Sequence, residues 1–138
     1  MVVFGMQSSK VYFVDARARN SSQSLLNKLE TLFDRLEMDA AVSGKTVAVK
    51  THVGAPLCTR YIRPVFIRKM VDKLKEAGGK PFVTDTTTLN IRRTRGTAPG
   101  HLEVAASHGF TEKTLNAPFI VADGFYGNDC VTVKIDGL

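Results

Sequence analysis

The fold class is decided by the stretch Lys45-Thr46-Val47-Ala48-Val49-Lys50-Thr51-His52. Its apolar side chains stand at consecutive positions, which is typical of a parallel strand that is buried on both faces. A helical pattern follows from Pro64, and after it comes a second strand-like run, Pro81-Phe82-Val83-Thr84-Asp85. Strands that alternate with helices at this spacing predict a parallel sheet with right-handed crossovers.

The same pattern extends towards both ends of the chain. Further strands are predicted at residues 10–15 and 118–123, and helices at about 25–36 and 101–108. A last strand, at 130–135, follows too short a connection for a crossover, so we expect it to pair antiparallel. We therefore predict an α/β fold: a Rossmann-like, open, mostly parallel sheet of four strands with flanking helices and a C-terminal antiparallel strand.

Length and composition indicate one globular domain. The chain has 138 residues, of which 43% are hydrophobic and 23% charged. We expect residues 1–9 to be a flexible leader and residues 10–138 to form a single α/β domain. No apolar run approaches the roughly 20 residues that span a bilayer, and the first residues do not resemble a secretory signal. We therefore expect a cytoplasmic protein without a membrane partner.

The two cysteines, Cys58 and Cys130, lie far apart and form no C-x-x-C pair. A zinc or iron–sulfur site made of cysteines needs three or four ligands. The sequence therefore predicts no such cofactor within this chain, and it favours two free thiols over a disulfide.

Positive charge is concentrated in one part of the sequence. The net charge is +6, and residues 59–95 hold ten Lys or Arg against three Asp or Glu, whereas the rest holds nine against ten. Such a cluster favours an anionic partner. The chain has no Trp and few aromatic residues near the arginines, so nucleic acid is an unlikely partner by this pattern.

Candidate site residues lie just after the predicted strands, where open parallel sheets bind ligands. Lys50 and His52 share one face of their strand, and Asp85 and Asp123 end later strands. A lysine at the end of a buried strand must reach water, a carboxylate or an anionic ligand, so an ion pair of Lys50 with Asp15 or Asp85 is the structural alternative. His52 and Asp85 are the candidate catalytic residues, although His52 could also be a metal ligand or, as is commonest for a histidine taken alone, a hydrogen-bonded core residue.

Two arginines, Arg60 and Arg63, precede the predicted helix at Pro64, where unpaired backbone N–H groups already favour an anion. Three more, Arg92, Arg93 and Arg95, lie in the loop after Asp85. We therefore predict recognition of phosphate or carboxylate, with ligand-binding residues Lys50, Arg60, Arg63 and Asp123. Alternatively, these arginines serve the solubility of an exposed loop or face a missing partner segment.

Two other functions stay open. A metal-dependent enzyme could use His52, Asp85, His101 and Asp123, although no local spacing supports a metal site. An interaction module, or a fragment, could pack its basic face on another domain or subunit, either as a homo-oligomer or against a missing C-terminal domain. The turn at residues 16–20 has no glycine, and no G-x-S-x-G occurs, so dinucleotide, P-loop and hydrolase signatures are absent.

Several stretches resemble a bacterial and archaeal family, domain-of-unknown-function family 362, whose members are often labelled uncharacterised iron–sulfur centre proteins. The stretches are Val11-Tyr12-Phe13-Val14-Asp15-Ala16-Arg17-Ala18, Val47-Ala48-Val49-Lys50-Thr51-His52-Val53-Gly54, Thr59-Arg60-Tyr61-Ile62-Arg63-Pro64, Gly78-Gly79-Lys80-Pro81-Phe82-Val83-Thr84-Asp85-Thr86 and Ala122-Asp123-Gly124. Many relatives are longer and carry a ferredoxin-like cysteine cluster, so the resemblance implies the amino-terminal portion of a larger, redox-associated protein. The family has no agreed reaction, and we expect a domain of unknown function that binds a small anionic metabolite.

Overall fold

A parallel sheet of three strands forms the centre of the computed structural model, which describes residues 9–89 and 94–135. The strands are β1 (Thr46–Lys50), β2 (Lys80–Asp85) and β3 (Phe119–Val121), in the spatial order β1-β2-β3. Both neighbouring pairs are parallel. The α/β class and the parallel sheet that the sequence predicts are therefore confirmed.

Five helices lie in the described part of the chain. They are α1 (Leu25–Arg35), α2 (Asp39–Val42), α3 (Pro64–Glu76), α4 (Ala98–Ser107) and α5 (Glu112–Leu115). Short 3-10 turns occupy Ser21–Gln23 and Thr94–Gly96. Helix α4 begins three residues earlier than its predicted start at His101, because the Thr97 hydroxyl accepts a hydrogen bond from Gly100 N and caps the helix there. Helix α2 was not predicted.

The described segments at 10–15 and 130–135 differ from the prediction, because neither forms a strand. Val11, Phe13, Val131 and Ile135 are almost fully exposed. The alternation of apolar residues in these segments is typical of a strand. To form a strand, however, a segment must also pair with the free N–H and C=O groups at the edge of another strand. Neither described segment pairs with such an edge. In the described residues the sheet therefore has three strands rather than four, and it has no antiparallel strand.

In the part of the chain that the structure describes, helices cover one face of the sheet. Val47, Val49 and Val83 point towards α1 and α3 and pack in the two core clusters, together with apolar residues such as Phe33, Ile67, Val71 and Leu74. On the opposite face Ala48 is exposed and Ile120 is 44% exposed. The expected burial of β1 on both faces is thus not observed. No helix among the described residues has the length and apolarity needed to cross a membrane.

Candidate functional site

Asp85, the last residue of β2, is the centre of a polar cluster at the carboxyl edge of the sheet. Its side chain is almost completely buried. Oδ1 accepts hydrogen bonds from Lys50 Nζ at 2.5 Å and from the backbone N–H of Thr86 at 2.9 Å. Oδ2 accepts from the backbone N–H of Val53 at 3.3 Å and lies 3.1 Å from His101 Nε2. One carboxylate thus joins β1, β2, α4 and the loop after β1.

These contacts decide the charge of Asp85. Burial alone would raise the pKa of the carboxyl group, but hydrogen bonds from His101, Lys50 and the backbone of Thr86 and Val53 outweigh it. The net result is a pKa far below the ordinary value for aspartic acid. Asp85 is therefore ionised at neutral pH, and its carboxylate orients its neighbours as a hydrogen-bond acceptor.

Lys50 ends β1 and points its ammonium group along the strand-end edge. Of the two ion-pair partners considered from the sequence, the structure selects Asp85, whereas Asp15 pairs with Lys28 of α1 at 2.5 Å. The Lys50 side chain nevertheless remains 56% exposed. A buried carboxylate thus holds a cation that still faces solvent.

His52 lies beside this pair but is not a core histidine. Its side chain is 60% exposed, and Nδ1 is 3.8 Å from Asp85 Oδ2, which is beyond hydrogen-bonding distance. His52 is therefore an accessible side chain at the edge of the cluster.

Asp123 forms hydrogen bonds with Thr87. Its two carboxylate oxygens each lie 2.9 Å from the backbone N–H of Thr87, and the Thr87 hydroxyl donates to Oδ2 at 2.7 Å. Burial acts to raise the pKa of Asp123, but the hydrogen bonds from Thr87 lower it below the ordinary value. Asp123 therefore ties the loop after β3 to the loop after β2, and it does not contact the Asp85 cluster directly.

The loop between β1 and α3 is anchored at both ends. Val53 donates its N–H to Asp85, and its carbonyl oxygen lies 2.7 Å from His108 Nδ1. The His108 ring stacks on Tyr61 with 4.6 Å between centroids. Gly54 permits this packing, because it has a φ of +90° and an added Cβ would lie 2.8 Å from the Tyr61 ring. The backbone that carries the predicted arginines is thus firmly held.

Arg60 and Arg63 are exposed on this anchored loop. Arg63 is the N-cap residue of α3, as its place before Pro64 suggested. Neither guanidinium forms a hydrogen bond or ion pair with a carboxylate among the described residues. The structure therefore leaves both cations available at the end of the sheet where Lys50 lies, although it does not bring them into contact with the Asp85 cluster. Of the other predicted arginines, Arg92 and Arg93 lie outside the described residues.

Cys58 has a perturbed thiol that the sequence did not single out. Its sulfur accepts a hydrogen bond from Arg60 N at 3.4 Å. Backbone hydrogen bonding with Arg60 and Ala55 lowers the pKa of Cys58, and the charges of Arg60 and Arg95 lower it further. The nearby arginines were the only sequence signal for this effect. Cys58 and Cys130 are both free thiols.

The metal-ligand set considered from the sequence is not assembled. Within residues 9–89 and 94–135, no three His, Cys, Asp or Glu side chains are grouped so that they could hold a metal ion. His101 instead belongs to Asp85 as a hydrogen-bond partner, a role that the sequence did not reveal.

A family model described as a domain of unknown function, DUF362, matches residues 47–138. The chain belongs to this family. No curated protein and no solved structure matches the chain. The match confirms the resemblance seen in the sequence. It begins after residues 11–18, and it includes Lys50, Asp85 and Asp123. Because the DUF362 description names no reaction, the function has to be argued from the geometry.

Proposed function

We propose that this DUF362 domain binds a small anion, bearing phosphate or carboxylate, at the carboxyl edge of its parallel sheet. One observation carries the proposal: Lys50 Nζ is held 2.5 Å from the buried Asp85 carboxylate while the lysine side chain stays 56% exposed. A cation fixed in this way loses little side-chain freedom when an anion arrives, so binding costs less conformational entropy. Open parallel sheets bind ligands outside the carboxyl ends of their strands, and Lys50 and Asp85 end β1 and β2 at that edge.

The charges around Lys50 favour an anion over a cation. Asp85 is the buried carboxylate of the cluster, and Lys50 already neutralises it. Arg60 and Arg63 add two exposed positive charges on the anchored loop, and guanidinium groups can contact phosphate or carboxylate through two parallel hydrogen bonds. Since these groups are exposed, a pair that each forms with an anion stays hydrated and screened, so each contact adds a modest favourable free energy.

The remaining site residues have supporting roles in this proposal. Asp85 orients Lys50, and Asp123 shapes the rim by holding Thr87. His52 is the group that could move a proton to or from a bound molecule, because it is accessible and lies 3.8 Å from Asp85. We assign no reaction to the domain. We place it in the cytoplasm, where its two free thiols stay reduced, as part of a larger redox-associated protein.

The proposal is tested by thermal denaturation with inorganic phosphate or acetate at constant ionic strength. We expect phosphate to raise the Tm of the wild-type chain, and Arg60→Ala or Lys50→Met to abolish that rise. Arg35→Ala, which removes an exposed charge at the end of α1, is the matched control and should keep the response. Absence of any response of the wild-type chain to either anion would contradict the proposal.

A second candidate function rests on a different observation, the exposed face of the sheet around Ala48 and Ile120. Parallel sheets are usually covered on both faces, so this face suits an interaction with another domain or subunit. Sedimentation velocity over a range of concentrations tests the homo-oligomer version of this idea. A sedimentation coefficient that keeps the value expected for a monomer at the highest concentration would exclude self-association.

A further inference from the structure

Within residues 9–89 and 94–135, two buried polar atoms beside Asp85 have no hydrogen-bond partner. They are the hydroxyl oxygen of Thr51, a residue only 6% exposed, and Nδ1 of His101, a residue that is completely buried. Folded proteins pair nearly all of their buried polar groups, because an unpaired group has lost its water and gained nothing in return. Two such atoms at one end of the sheet therefore require an explanation.

Both atoms lie on the helix-covered side of the sheet. Thr51 follows β1 directly and donates its backbone N–H to Thr84 O at 3.0 Å, which continues the β-ladder. Side chains alternate along a strand, so Thr51 points to the side of Val49, opposite to Lys50. Since Lys50 is opposite Thr84 in the register, Thr51 comes level with Asp85. His101 reaches the same carboxylate from α4. The two unpaired atoms thus belong to residues that flank Asp85.

A hydroxyl group can pair with both of these atoms. The carboxylate of Asp85 only accepts, so the His101 nitrogen that faces it, Nε2, carries a proton. Nδ1 is the ring nitrogen left without a partner. The Thr51 hydroxyl and the hydroxyl group of a ligand can each donate or accept, so one ligand hydroxyl can bond to both Thr51 Oγ1 and His101 Nδ1.

We propose that Thr51 and His101 form a hydroxyl-binding subsite of the anion site, and that they determine its specificity. This inference rests on the proposed function. The phosphate or carboxylate of the ligand lies at Lys50 on the exposed side of Asp85, and an uncharged hydroxyl group of the same ligand lies between Thr51 and His101. The ligand class is therefore a small hydroxylated phosphate or carboxylate. Acting through Asp85, His101 also positions Lys50.

Calorimetric titration with two matched ligands tests this inference. Ethyl phosphate and 2-hydroxyethyl phosphate differ by one hydroxyl group, and we expect the wild-type chain to bind the hydroxylated ligand about 10-fold more tightly. His101→Gln retains an amide N–H able to reach Asp85 but lacks the second ring nitrogen, and Thr51→Val removes the hydroxyl group without changing the shape. Each variant should bind the two ligands equally. Thr46→Val, in the exposed part of β1, is the control and should keep the preference.

The outcomes separate the subsite from the anion site. Equal binding of both ligands by the wild-type chain overturns the hydroxyl subsite and leaves the anion site intact, whereas no binding of either ligand overturns both. A preference that survives in both Thr51→Val and His101→Gln also overturns the subsite. The thermal stability of Thr51→Val tests the inference without a ligand as well. Because it removes an unpaired hydroxyl, its Tm should equal or exceed that of the wild type, and a fall of several degrees would contradict the inference.

Discussion

His101 Nε2 lies 3.1 Å from Asp85 Oδ2, and both side chains are shielded from solvent by the packing of α4 against the sheet. The other oxygen of the same carboxylate holds Lys50, which faces solvent. The buried core and the exposed cation are therefore connected through a single side chain. Any change at Asp85 should therefore alter both the stability of the domain and the placement of the cation.

Replacing Asp85 with asparagine should destabilise the domain by about 2–3 kcal/mol, because hydrogen bonds between charged groups are lost and buried donors are left without a charged acceptor. Chemical denaturation measures the change in the free energy of unfolding. The matched control is Asp34→Asn, which removes a carboxylate that pairs with Lys73 on the surface and should cost less than about 1 kcal/mol. Equal costs for the two variants would show that burial does not strengthen the Asp85 contacts.

The same carboxylate predicts how stability changes with pH. The pKa of Asp85 is lower in the folded chain than in the unfolded chain, so its contribution is complete above the unfolded value of about 3.9. The contribution is lost progressively as the pH falls below that value towards the folded pKa. The difference in unfolding free energy between the wild type and Asp85→Asn should therefore be constant from pH 5 to 7 and shrink below about pH 4. A difference that grows in acid would contradict this assignment.

Gly127 should be intolerant of a side chain. It has a φ of +77°, and an added Cβ would lie 2.3 Å from Thr87 Oγ1 and 3.0 Å from Asp123 Oδ2. Gly127→Ala therefore has to displace the hydrogen bond between Thr87 and Asp123. We expect a loss of about 2–4 kcal/mol in the free energy of unfolding.

Gly44→Ala is the control for this substitution. Gly44 has a similar φ of +74°, but an added Cβ would meet no atom within 4 Å, so the variant measures the backbone cost alone. That cost should be about 1 kcal/mol. If the two alanine variants lose the same stability, the contact of Gly127 with the Thr87–Asp123 pair is not tight in solution.

Cys58 should react faster than an ordinary thiol. Its pKa is lowered by backbone hydrogen bonding with Arg60 and by the arginine charges, so a larger fraction is thiolate at neutral pH. Iodoacetamide labelling of a Cys130→Ser variant at pH 7, followed by mass spectrometry, should be faster than labelling of N-acetylcysteine amide. The variant lacking both cysteines is the blank. Labelling at or below the rate of the free thiol would show that the hydrogen bond does not persist.

The sequence predicted the elements whose signals are local. The helical spacing of apolar residues and the capping residues located α1 and α3, and the β-branched runs located β1 to β3. The segments at 10–15 and 130–135 carry the same kind of strand pattern, yet they lie outside the sheet. A strand pattern reports only the preference of a segment, whereas pairing depends on an available edge elsewhere in the chain.

For the site, the sequence by itself determined which chemical groups follow the strands, namely the ammonium of Lys50, the imidazole of His52 and the carboxylates of Asp85 and Asp123. Only the tertiary structure decided how they pair. It matched Lys50 and His101 with Asp85, it matched Asp123 with Thr87, and it left the Thr51 hydroxyl and one nitrogen of His101 without partners among the described residues. The physical reason is that hydrogen bonds and ion pairs act over a few ångströms, so partners are set by strand register and helix position rather than by separation along the chain.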